Sequence, residues 1–234
     1  IQLNRLNMNK IIELKNISKN YKNRKKIIVL KNLNYKFLQG KTYSLVGPSG
    51  SGKSTLLNIL SLIDRPSNGN LIIDKQKINF EESKKNDLLR SNNFGIIYQE
   101  KNLLNDFTAL ENILLAGIAN GKSINESLNQ SEKILKKLKL FNRSNHFPSE
   151  LSGGENQRIA IGRALINSPK IIIADEPSGN LDHKSAKEFF KLLFNLKSKN
   201  RIIIYATHNR YFANLADCRL QLINGKLKSI NARK

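Results

Sequence analysis

The chain has 234 residues, enough to bury roughly three quarters of its unfolded surface in one large domain or two small ones without any disulfide staple. Its 40 basic residues against 18 acidic ones give a net charge of +22, which favours anionic partners: nucleotide, nucleic acid or an acidic lipid surface. Lys, Asn and Ile are also what an AT-rich genome supplies, so charge alone decides nothing. The single cysteine, Cys218, excludes an internal disulfide, and no apolar run approaches the ~20 residues that cross a bilayer. The alternation of apolar and charged residues over 10–26 is unlike a secretory leader, so a reducing cytoplasm is expected and any membrane role falls to a partner. The sole methionine, Met8, suggests a start there, with 1–7 as an extension outside the fold.

In chain order, 11–21 and 27–37 alternate apolar and polar residues and predict two antiparallel strands joined by the basic turn "NRKK". Thr42 to Gly47 is a short buried strand running into a glycine-rich turn, 53–63 is helical, and Pro66 to Gly69 breaks the chain before a strand over 70–74. Between 101 and 150 the period becomes helical, with Thr108/Glu111 and Ser123/Glu126 spaced as capping boxes, so this stretch is expected to be a small helical insertion. The strand and helix rhythm returns with "KIIIADEP", a helix over 185–197 and "RIIIYATH"; near the end Asn224-Gly225 between two alternating runs marks a hairpin.

Three short strings carry chemistry. "GPSGSGKST", Gly47, Pro48, Ser49, Gly50, Ser51, Gly52, Lys53, Ser54 and Thr55, follows a strand and opens a helix. Its glycines let backbone N–H groups turn inward around phosphate oxygens and the helix start adds a favourable dipole, with Lys53 reaching the β and γ phosphates and Ser54 holding Mg²⁺. Asp175 and Glu176 end an apolar strand, where a carboxylate emerges at the carboxyl edge of a sheet; Asp175 is the expected Mg²⁺ carboxylate and Glu176 the group that polarises the attacking water. In "LSGGENQRIAIGRAL", Ser152 caps a helix expected to begin near Glu155, and Gly153-Gly154 strips side chains from its start, making a second anion-binding end. Two such ends in one chain mean either two sites or one site shared between two copies.

These strings resemble the Walker A, Walker B and signature motifs of ATP-binding-cassette ATPases, and the resemblance covers nearly the whole chain. It implies an α/β P-loop fold: a mixed-sheet core with an antiparallel β-subdomain, built from 1–100 and 151–234 around a helical subdomain at 101–150, as a single nucleotide-binding domain. It also selects the shared site, in which two cassettes pair head to tail and the signature of one, Ser152, Gly153, Gly154 and Glu155, closes over ATP held by the other. Tyr21 then stands where an aromatic stacks on adenine, Gln99 where a glutamine senses Mg²⁺ or the attacking water, Asp182 in the D-loop "SGNLD", and His208 where a switch histidine meets the γ-phosphate. Asn209 departs from the aspartate that often follows this histidine, a change expected to weaken the ordering of the switch loop. No catalytic group is missing, so an active ATPase is expected.

Within the family, "FGIIYQEKNLLNDFTALENILLAG" is similar to the lipoprotein-releasing (LolD-type) subgroup, apart from Lys101, Asn102 and Asn105, where that subgroup has His, His and Pro. The resemblance implies a peripheral subunit on the cytoplasmic face of the inner membrane, working with integral permease subunits. Related macrolide or peptide exporters and cell-division complexes share "GNLD" and form the alternative. A soluble cassette acting on nucleic acid would normally carry two cassettes, a long coiled coil or zinc modules in one chain, and none is seen here. A regulatory ATP sensor without turnover is disfavoured by Glu176, Gln99 and His208 together.

Overall fold

A computed structural model describes residues 10–22, 26–99 and 102–230. The suggested extension at 1–7, most of the basic turn and Lys101 lie outside these residues. Strands β1 (Lys10–Lys22) and β2 (Lys26–Leu38) pair antiparallel, and with β4 (Asn68–Ile73) and β5 (Gln76–Lys77) they form a four-stranded sheet in the order β2-β1-β4-β5. The second sheet runs β10-β9-β3-β8-β7-β6 and uses β3 (Thr42–Val46), β6 (Phe94–Ile97), β7 (Ile171–Asp175), β8 (Ile202–Ala206), β9 (Cys218–Ile223) and β10 (Lys226–Ile230). All its neighbouring pairs are parallel except β9 with β10, which are joined through Asn224 (φ 50°) and Gly225 (φ 74°), the two left-handed residues of a tight hairpin.

Continuous apolar runs in β7 and β8 follow from burial on both faces of the parallel part of the sheet. On one face Ile171, Ile173, Ile202 and Ile204 join the core made by the antiparallel sheet and helix α1 (Lys53–Leu60). On the other, Ile172, Ala174, Ile203 and Tyr205 join a second core with α5 (Gly153–Leu165) and α6 (His183–Asn195). Helices α3 (Ala109–Ile118) and α4 (Ile124–Lys137) pack on each other and on α5, so the stretch of helical period is tied to the signature helix. The expected Thr108/Glu111 capping box is complete, whereas at α4 only Ser123 accepts from Glu126 N–H, because the Glu126 carboxylate is engaged by Gln130.

Element ends differ from expectation at helices α1, α5 and α6, and β4 begins at Asn68 rather than at residue 70. Helix α1 stops at Leu60, where Ser61 Oγ and the Leu62 turn (φ 61°) close it, and α6 starts two residues early because Asp182 caps it. Helix α5 begins at Gly153 rather than near Glu155, so both glycines lie in its first turn. Two helices have no counterpart in the sequence reading: α2 (Ser83–Asn93) and the four-residue α7 (Arg210–Ala213).

Candidate nucleotide site

Because β3, β8 and β7 run parallel, the turns that follow them open on one edge of the sheet. After β3 come Gly47 to Gly52 and α1. A Cβ at Gly47 would lie 2.3 Å from the Leu222 carbonyl oxygen, and Gly52, at φ 99°, would drive one to 2.7 Å from Val29 Cγ1, so both positions admit glycine alone without rearrangement. Gly52 is also the N-cap of α1 and offers no side-chain acceptor; the first-turn N–H groups are left to another acceptor. Lys53 folds back over the loop, its Nζ donating to the carbonyl oxygens of Gly47 at 3.0 Å and Pro48 at 3.2 Å.

From β7 the chain delivers Asp175 and Glu176, and from β8 His208. Glu176 adopts φ 44°, and its side chain, 15% exposed, bridges Lys53 and His208: Oε1 lies 3.9 Å from Lys53 Nζ, and Oε2 lies 2.9 Å from His208 Nδ1 while accepting the His208 N–H at 3.2 Å. His208 itself is 72% exposed at the mouth of the site. Burial pushes the Asp175 carboxyl above the usual carboxylate range, against a hydrogen bond from Ser54. Its Oδ1 is buried without a hydrogen-bond partner, and so is Ser51 Oγ. An orphaned carboxylate oxygen beside a serine hydroxyl is a set of hard oxygen donors waiting for a ligand.

Residues 47–55 are thus brought together with Asp175, Glu176 and His208. Gln99 follows β6 on the same edge and lies against Gly179, where a Cβ would come within 2.9 Å of its Nε2, so it touches the turn leading to Asp182. Asp182 Oδ1 accepts the N–H groups of Lys184 at 2.9 Å and Ser185 at 3.0 Å, and the Ser185 hydroxyl, ahead of these N–H bonds, holds the carboxyl below the ordinary aspartate value.

A sequence profile described as ABC transporter matches residues 30–179. The lipoprotein-releasing system ATP-binding protein LolD of Rickettsia bellii is 46% identical, with 94% of this chain and 98% of that protein covered. The LolD protein of Wigglesworthia glossinidia brevipalpis is 45% identical over 94% and 97%. Among solved structures, a dimeric ATP-binding cassette in a post-hydrolysis state, bound to ADP and Pi, superposes with a TM-score of 0.87 at 35% identity, covering 96% of this chain and all of that one. The chain belongs to the ABC transporter family. Within it, the chain is of the LolD type.

Residues 152–155 of this ABC chain face a different set of neighbours from 47–55. Among the described residues no hydrogen bond or ion pair joins 47–55 to 152–155. Instead Ser152 and Gly154 line a cavity of about 250 Å³ with Asp182, Arg158 and Lys184. Ser152 Oγ accepts Glu155 N–H at 3.2 Å, Glu155 Oε2 accepts Ser152 N–H at 2.8 Å, and Arg143 reaches the other carboxylate oxygen at 3.4 Å.

The expected loosening of the switch loop by Asn209 is not seen. Asn209 Oδ1 accepts from Tyr211 N–H at 2.9 Å and Phe212 N–H at 3.4 Å, capping α7 as an aspartate would. Amide and carboxylate share this acceptor, so the departure costs the loop no hydrogen bond. Lys19 and Asp64, which hold Tyr21, escaped the sequence reading; an acid and a base 45 residues apart give no local signal.

Proposed function

We propose that this chain is the ATP-binding and ATP-hydrolysing subunit of a transporter that releases lipoproteins from the inner membrane toward the outer membrane. The ATPase reading is carried by one observation: Lys53 and Ser54 converge with Asp175, Glu176 and His208 at one edge of a parallel sheet. Near full-length similarity to LolD proteins supports the cargo class.

In this reading Gly47 to Thr55 cradle the triphosphate, and Lys53 leaves the Gly47 and Pro48 carbonyl oxygens for β and γ phosphate oxygens. Mg²⁺ fits the donors present, the Ser54 hydroxyl and the orphaned Asp175 Oδ1, with the Gln99 amide as a further oxygen. Bound there, Mg²⁺ would neutralise charge on the triphosphate. Glu176 takes a proton from water as its oxygen attacks the γ-phosphorus and the bond to the β–γ bridging oxygen breaks, releasing ADP. His208 steadies the Glu176 carboxylate and faces the γ-phosphate.

Two copies pair head to tail, Ser152, Gly153, Gly154 and Glu155 of one closing over nucleotide on the other, with Asp182 beside the seam. Similarity to dimeric cassettes supports this pairing. Among the described residues no helix is long and apolar enough to cross a membrane; in this reading integral permease subunits provide the path. The subunit works peripherally at the cytoplasmic face of the inner membrane, and 101–150 forms the helical subdomain of a single nucleotide-binding domain that transmits closure to the permease. The Glu176→Gln variant tests the chemistry: turnover falls on the order of 10²- to 10⁴-fold, and an ATP-bound dimer accumulates on size-exclusion chromatography. Normal steady-state hydrolysis would refute the assignment of Glu176. Mass spectrometry of lipids and proteins copurifying from membranes tests the cargo.

A further inference from the structure

Tyr21 is held by a network whose other members, Lys19 and Asp64, belong to none of the motifs. Tyr21 stands near the end of β1 with its ring 43% exposed, and its hydroxyl donates to Asp64 Oδ2 at 3.1 Å. Lys19, two residues earlier and on the same face of the strand, is buried; its Nζ donates to Asp64 Oδ1 at 2.6 Å and to the Arg65 carbonyl oxygen at 2.7 Å. The same ammonium lies 4.9 Å from the centre of the Tyr21 ring. One carboxylate therefore grips both the phenol and the cation stacked against it.

Asp64 is itself anchored to the phosphate-loop helix. Its N–H and that of Ile63 both donate to the carbonyl oxygen of Asn58 in α1, at 3.2 and 2.9 Å. On its other side Ser67 N–H donates to the Ser18 carbonyl oxygen at 2.8 Å, and Asn20 N–H donates to Ser67 Oγ at 3.1 Å. A continuous path of helix and hydrogen bonds thus runs from Gly47–Thr55 through α1 and Asp64 to the Tyr21 ring. A surface tyrosine without such ties would sample several staggered rotamers and lose that freedom on stacking.

We propose that Lys19 and Asp64 are positioning residues for base recognition, fixing the Tyr21 ring at a set reach from the phosphate loop so that loop and ring together measure out a purine nucleoside triphosphate. This rests on Tyr21 as the adenine-stacking residue. Lys19 adds an electronic effect: a cation on one face draws electron density from the ring and improves the other face for an electron-rich base. The competing view is that Lys19 and Asp64 form a buried ion pair that serves stability alone, and it predicts no preference between ligands with and without a base.

The experiment titrates the full chain calorimetrically with ATP and, separately, with inorganic tripolyphosphate, both in the presence of Mg²⁺. Tyr21→Ala is the reference and is expected to weaken ATP but not tripolyphosphate. Asp64→Asn and Lys19→Met are each expected to weaken ATP about three- to tenfold, the cost of ordering one side chain on binding, with tripolyphosphate unchanged. If Tyr21→Ala weakens ATP while the other two variants do not, the positioning role falls and the stacking role stands. Equal weakening of both ligands overturns the proposal in favour of a purely structural ion pair. Unaltered ATP binding in Tyr21→Ala removes the stacking assignment and the proposal with it. Tyr21→Phe keeps the ring, deletes the tie to Asp64 and leaves the buried charges alone; it is expected to lose ATP affinity selectively, which keeps the test open should Lys19→Met fail to fold.

Discussion

Two helices of this chain have glycine at their start, one as the cap and one as the first helical residue, and they start differently. Helix α1 has Gly52 in the left-handed region as its N-cap, no side-chain acceptor and no acid in its first turn. Helix α5 has Ser152 and Glu155 in a closed capping box, with two side chains spent on two backbone N–H groups. An uncapped start is poor local design unless something else supplies the acceptors, and on the proposed function the adjacent Lys53 and the unpartnered Asp175 oxygen suit an anion carrying a cation. A capped start is stable on its own and offers only the N–H groups of Gly153 and Gly154 between the two members of the box. On the function proposed above, one end holds phosphate and the other remains intact until phosphate is brought to it.

The largest break in this contrast is Lys53→Ala, which removes the open end's cation. ATP affinity is expected to fall roughly 10- to 100-fold, the worth of hydrogen bonds to a charged group, read by equilibrium titration, with little change in melting temperature. Ser152→Ala should do the reverse in the isolated subunit, costing about 1 kcal/mol of stability, or a melting temperature lower by about 2–4 °C, while ATP binding at the open end is retained. A loss of stability in Lys53→Ala and none in Ser152→Ala would invert the comparison.

The smallest effect lies in pH. The hydrogen bond from Ser152 N–H, helped by the Ser152 hydroxyl and by Arg143 and Arg158 against burial, holds the Glu155 carboxyl below the ordinary glutamate value. A depressed value in the folded state means stability that is present above the unfolded pKa and lost as pH falls through the folded one. Glu155→Gln should therefore match wild type more closely in acid than at neutral pH, as denaturant midpoints across that range would reveal; a constant difference would remove the carboxylate from the box's energetics.

How much of this was legible depended on where each signal is written. The β3–loop–α1 unit, the strand ending in Asp175-Glu176 and the Asn224-Gly225 hairpin announce themselves because their geometry is local: a left-handed residue calls for glycine or asparagine, and a strand buried on both faces calls for an unbroken apolar run. Helix α2 was silent for the opposite reason. Its sequence, SKKNDLLRSNN, has no apolar stripe; its one buried residue is Asn86, whose Nδ2 donates to the Asn79 carbonyl oxygen, and Arg90 ties it to Leu62. Likewise, the string around Gln99 marks that residue, while its seat against Gly179 depends on β6 and β7 pairing across more than 70 intervening residues. The expected start of α5 near Glu155 took the first side-chain-bearing residue for the first helical one, when the serine before the glycines was already the cap.

The left-handed backbone at Glu176 has one more implication. A residue with a Cβ pays on the order of 1–2 kcal/mol to sit there, whereas glycine would relieve most of that and lose a part through a freer unfolded chain. On the proposed role of Glu176, replacing it by glycine should abolish turnover, while the backbone relief offsets part of what the lost contacts to Lys53 and His208 contributed. On that reading the chain keeps, for turnover, a side chain at a torsion angle whose backbone alone would favour glycine.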